Sequence, residues 1–119
     1  MAQGAGGFKI ENEAVADKKA IVVKVHGDID AHTTKLLRAA VEELFSQKKH
    51  RLVIDFSHVN YMSSAGASLL IIVQQDAQKS DGKIVLTSLK LPVQHVFDLL
   101  GLTPLFTIVK DRKAALAAM

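Results

Sequence analysis

The sequence contains no cysteine, which excludes a disulfide framework, a thiolate metal site and cysteine nucleophilic chemistry together. It has only two prolines, Pro92 and Pro104, and no Pro/Gly-rich linker, low-complexity tract or internal repeat, so nothing divides the chain. The longest unbroken run of large apolar residues covers 69–73, far short of the ~20 residues a membrane-spanning helix needs. Residues 1–7 are Gly/Ala-rich and lack the charged start and apolar stretch of a secretory signal, so they read as a loose leader and the expected location is the cytoplasm. The enzyme signatures Gly-x-x-x-x-Gly-Lys-Ser/Thr, Gly-x-Gly-x-x-Gly and His-Glu-x-x-His are all missing. Charge of one sign is also scarce: 15 Lys+Arg against 12 Asp+Glu leave a net charge of +3, a weak basis for nucleic-acid binding.

What is present fits one folded domain over residues 1–119. Hydrophobic residues make up 49% and charged residues 23% of the chain, enough for a core without covalent staples. Residues 8–15 and 20–26 flank the polar turn around Asp17 and predict an opening hairpin. From Thr33, Leu37, Ala40, Val41, Leu44 and Phe45 follow helical spacing, with Lys35, Arg38, Glu42 and Glu43 on the other side. The basic run Lys48-Lys49-His50-Arg51 falls at that helix's end, where cations complement the negative pole of the helix dipole without any nucleic acid.

Residues 52–56 alternate too little for a half-exposed strand and predict a central one, covered on both faces. Small residues 63–66 lead into a second helix reaching about Lys79. Gly66, Leu69, Leu70, Val73 and Ala77 share one side of it, while Ile71 falls off that side and is expected to be exposed toward a partner. A strand over 83–87, a helix from Pro92 to near Gly101, a short strand over 105–108 and a terminal helix within 110–119 complete the pattern. Strands alternating with helices after a hairpin predict an α/β fold, a mixed sheet of about five strands with about four packed helices.

The polar residues support little catalysis. The five histidines show no pairing at helical ligand spacing. Ser57-His58 suggests a nucleophile and base, but neighbours on extended backbone point apart and no Gly-x-Ser-x-Gly elbow surrounds them. Asp28 and Asp30 precede the first helix: Asp30 or Thr33 caps it, or the carboxylates form an acidic rim near the start of the second helix. Ser63 and Ser64 stand directly before that second helix, whose first N–H groups lack intrahelical partners. They serve as an N-cap, or as a phosphorylation site where a phosphate adds about −1.5 to −2 charges facing helix amides.

Three segments together resemble the STAS family, specifically the bacterial anti-sigma factor antagonists. Gly27-Asp28-Ile29-Asp30-Ala31-His32-Thr33 is similar to that family's Gly-x-Leu-Asp-x-x-Thr. Asp55-Phe56-Ser57-His58-Val59-Asn60-Tyr61-Met62-Ser63-Ser64-Ala65-Gly66 resembles its Asp-Leu-Ser-x-Val-x-x-Met-Asp-Ser-Ser/Thr-Gly. Val96-Phe97-Asp98-Leu99-Leu100-Gly101-Leu102 resembles its Leu-Gly-Leu closing helix. The resemblance implies a non-catalytic partner switch without cofactor or metal. Unphosphorylated, such a domain binds an anti-sigma factor that is also a serine kinase; phosphorylation releases it and a metal-dependent serine phosphatase resets it.

On this pattern the phosphoacceptor is Ser64, and the partner-binding residues are Asp28, Asp30, His32, Thr33, Ser63, Ser64, Ala65, Gly66 and Ile71, in a monomer that binds no nucleic acid. Two positions depart from it. Ser63 stands where many phosphorylated members have aspartate, which makes it a competing acceptor, and Ala65 replaces the second hydroxyl residue. The resemblance also extends to STAS interaction or scaffold modules of signalling complexes or transport systems that involve no sigma factor.

Overall fold

The structure, a computed structural model, describes residues 2–3, 7–15, 17 and 19–119. Its sheet runs in chain order, β1 (Ala2–Gln3), β2 (Lys9–Val15), β3 (Ala20–His26), β4 (Arg51–His58), β5 (Lys83–Thr87) and β6 (Thr107–Val109). β1, β2 and β3 pair antiparallel, and β3 through β6 pair parallel. The five expected strands are all present. The two-residue β1 is additional and lies within the segment read as a loose leader, pairing Ala2 with Ile10 and Gln3 with Lys9.

Each parallel step carries a helical crossover: α1 (Thr33–Ser46), α2 (Ser64–Lys79) and α3 (Leu91–Leu99). Right-handed crossovers that always advance one strand in the same direction place all three helices on one face. The packing agrees. Leu37, Val41 and Leu44 of α1, Leu69, Leu70 and Val73 of α2, and Val93 and Phe97 of α3 share one core with Val23, Val25, Leu52, Ile54, Phe56, Ile84 and Leu86. The alternate strand positions, Val22, Val53 and Val85, point to the other face, where α4 (Arg112–Ala117) covers them with Ala115. Strand β4 is therefore central and buried on both sides, as its apolar run predicts.

The C-terminal third differs in detail from the sequence expectation. Residues 103–105 form a 3₁₀ turn and β6 begins only at Thr107. Pro104 explains the shift, because its fixed φ and missing N–H suit a helical first turn and not a paired strand. The last helix is shorter than expected, starting after Asp111, whose carboxylate accepts from the Ala114 N–H at 2.8 Å. No helix among the described residues is long and apolar enough to cross a membrane.

Candidate partner-binding site

Two loops at the C-terminal ends of β3 and β4 are joined through their backbones. Gly27 N–H donates to His58 O at 3.0 Å, Ile29 N–H to Tyr61 O at 2.9 Å, and Ser63 N–H to Ile29 O at 2.8 Å. Between them Ile29 and Met62, fully buried, form an isolated parallel bridge. The acidic loop is thus held directly against the start of α2, an arrangement that sequence distance alone leaves open.

Within the acidic loop, Asp30 acts as the cap. Its Oδ1 accepts from the N–H groups of His32 and Thr33, each at 2.8 Å. These bonds, Thr33's first, hold the exposed Asp30 carboxyl below its ordinary pKa. Thr33 is buried; its hydroxyl donates to Asp28 O at 2.7 Å and accepts from Asp30 N–H at 2.9 Å. The Asp28 and His32 side chains are exposed and make no hydrogen bond among the described residues.

At the start of α2, Ser63 occupies the N-cap with extended backbone, φ −80° and ψ 168°, and its hydroxyl accepts from Gly66 N–H at 3.4 Å. Ser64 is the first helical residue and is exposed, as is Ala65. Gly66 is buried because α2 crosses Ile29 and Met62 closely. A Cβ at Gly66 would stand 2.7 Å from Ile29 Cγ2 and 2.8 Å from Met62 Cγ. The glycine is a spacing device that lets the first turn of α2, and so Ser64, settle onto the joined loops.

Two expectations are corrected here. Ile71 is half-buried and packs against the core rather than standing exposed. Ala67, one turn earlier, is fully buried, so the buried arc of α2 is wider than the apolar residues on its main side suggest and takes in Ile71. The exposed apolar side chain is its neighbour Ile72, at 42%. Ser57 and His58 also do not point apart: Ser57 Oγ lies 3.1 Å from His58 Nδ1. The register from Lys24/Asp55 to His26/His58 advances two residues on β3 and three on β4. Such a bulge breaks the alternation of side chains. Within it Asp55 Oδ1 takes the Ser57 N–H at 2.8 Å. The His58 ring lies 4.6 Å from that of His26, with no carboxylate positioning it among the described residues.

A further apolar side chain stands exposed at this surface without having been singled out by pattern: Tyr61 is 51% exposed in the joined loop. Lys90 Nζ donates to Asn60 Oδ1 at 2.8 Å and holds the loop before α3 to the same region. Periodicity does not find Tyr61, because it is exposed only by the way loops cross the helix ends.

Comparison with known proteins places this geometry. The STAS domain model matches residues 11–115. A Bordetella bronchiseptica protein named "Putative anti-sigma factor antagonist BtrV" is 28% identical over 98 residues, covering 82% of this chain and 84% of the relative. The crystal structure of an anti-sigma factor antagonist from Mycobacterium paratuberculosis superposes with a TM-score of 0.85 at 24% identity, covering 98% of this chain and 97% of the other. The Bacillus cell fate determinant SpoIIAA, solved in its phosphorylated form, superposes with a TM-score of 0.68 at 19% identity, covering 95% of this chain and 100% of the other.

Proposed function

The chain belongs to the STAS domain family, and on that footing we propose that it is an anti-sigma factor antagonist switched by phosphorylation of Ser64. The observation that carries the reading is the exposed Ser64 at the first position of α2, next to loops joined by three backbone hydrogen bonds. A phosphate there meets the positive end of the helix, so the modified domain keeps its fold. The same about −1.5 to −2 charges stand in the middle of the docking surface, where repulsion and desolvation oppose a partner.

The partner is an anti-sigma factor with serine kinase activity, bound by a monomer and released on phosphorylation; a serine phosphatase restores the binding form. Asp28, Asp30 and His32 from one loop, with Ser63, Ser64 and Ala65 from the other, make the contact region; Thr33 and Gly66, expected there too, are buried and shape the region from beneath. Ile71 borders it from its half-buried position, and Tyr61 and Ile72 add exposed apolar area to it. The domain works by binding, with chemistry supplied by its partners.

The test is binding by calorimetry to the kinase-type anti-sigma factor of the same genome. Ser64→Ala is expected to bind like the parent and to resist phosphorylation. Ser64→Asp is expected to bind at least tenfold more weakly, a loss of about 1.4 kcal/mol or more. Equal affinities for the two variants contradict the switch. No binding by the parent favours instead a scaffold module without a sigma factor. Phosphorylation at Ser63 alone moves the acceptor by one residue.

A further inference from the structure

At the opposite end of the sheet from Ser64, where β3, β4 and β5 begin, lies an open cavity of about 410 Å³, within the size range of small-molecule sites. Ala14, Val15, Ala20 and Ile21 give it an apolar side. Among the described residues Lys19, Lys48, Lys49 and Arg51 give it four cations, the lysines exposed and Arg51 half-buried, with His50 among them and Asp81 as the one opposing charge. None of these four cations has a carboxylate within salt-bridge distance or a side-chain hydrogen bond among the described residues.

Facing the negative end of α1 does not engage them as hydrogen-bond donors. The Leu44 and Phe45 carbonyls are already taken by backbone: Lys48 N–H donates to Phe45 O at 2.9 Å and Lys49 N–H to Leu44 O at 3.0 Å. The lysine ammonium groups are left over.

The backbone adds a second observation. Helices α1, α2 and α3 all end in the same reversed turn, in which the residue after the C-cap takes positive φ. At the end of α3 that residue is Gly101, the ordinary choice. At α1 and α2 it is Lys48 (φ 62°) and Asp81 (φ 58°), and both line the cavity, as does Lys19 (φ 51°) in the hairpin turn. Side chains occupy a strained backbone at three cavity positions where glycine is less costly. The lining is also fixed in place. Gly82 approaches the His50 carbonyl so closely that a Cβ would stand 2.1 Å from it, and Lys83 N–H donates to the same oxygen at 2.9 Å.

We propose that this cavity binds a small organic anion, a phosphate or carboxylate carried on an apolar body, at a site remote from Ser64. The cations take the anionic head and the side formed by Ala14 and Val15 takes the body. The proposal is independent of the partner-switching reading.

The test is amide NMR of the intact protein titrated with octyl phosphate below its micellar concentration. Inorganic phosphate and octyl glucoside serve as separate controls. Saturable shifts are expected at Ala20, Lys48, Arg51 and Gly82, with Ser64 unmoved and neither control reproducing them. Lys48→Gly combined with Lys49→Gln is expected to weaken binding about tenfold. Its unfolding midpoint should not fall, since glycine relieves the positive φ, so lost binding is distinguishable from lost fold. Asp81→Asn is expected to bind more tightly.

The proposal is overturned by equal shifts with inorganic phosphate, which means an adventitious ion only, or by unchanged affinity in the double variant. Sedimentation with phosphatidic acid vesicles without octyl phosphate binding also overturns it, in favour of a membrane surface.

Discussion

Gly66 and Ser64 show how one residue's chemistry depends on another's absence of it. Ser64 is a serine at a helix start, a feature visible in the sequence, but its placement over the joined loops relies on Gly66 having no side chain. Gly66→Ala is expected to lose about 1–3 kcal/mol of stability, the usual penalty for overpacking a filled site. Urea unfolding measures it, and an unchanged midpoint would mean that Ile29 and Met62 have room to yield. The choice between cap and functional carboxylate at Asp30 has a similar character. Its type and position mark a cap, and the structure supplies the two N–H donors.

At the scale of elements, helix α2 divides into a buried arc and an exposed arc, and the boundary runs between Ile71 and Ile72. Ile71→Ala is expected to destabilise the domain by about 1–2 kcal/mol through lost packing. Ile72→Ala should leave stability within about 0.5 kcal/mol and weaken partner binding. Denaturant unfolding beside calorimetry separates the two, and the reverse assignment would restore Ile71 as the contact.

The loop before α1 makes a pH prediction. Because Asp30's folded pKa lies below its ordinary value, its caps contribute stability above about pH 4, lost as pH falls through that lower folded value. The amide shifts of His32 and Thr33 should therefore titrate with a midpoint below 3.8, and a midpoint at or above it would contradict the cap. The element pattern was readable wherever a regular period ran, as in α1 and β4. It was least readable where period gives way to local geometry: at the β4 bulge, which turns Ser57 and His58 together, and at Pro104, which delays β6.

For the whole molecule, the decisive asymmetry is between the two faces of the sheet. Three helices cover one face, while on the other, among the described residues, α4 is the one helix over Val22, Val53 and Val85 and is tied back by the Arg112–Glu13 ion pair. That pair lowers the Glu13 carboxyl's pKa and raises that of Arg112. Deleting residues 111–119 is expected to cost about 3 kcal/mol or more by re-exposing three valines, read as a fall in the unfolding midpoint. A midpoint within error of the full chain would show that α4 only rests on the sheet.

The sequence by itself determined that the chain alternates strand and helix after a hairpin, that β4 is central, and that a small-residue helix start carries two serine hydroxyls. These follow from periodicity and local capping chemistry, which act over a few residues. Only the tertiary structure decided which loops meet, how wide the buried arc of α2 is, and that Lys19, the Lys48–Arg51 run and Asp81 surround one cavity. Those relations join residues far apart in the chain, and they are set by the crossover geometry of the parallel sheet, which brings like ends of successive strands together in space.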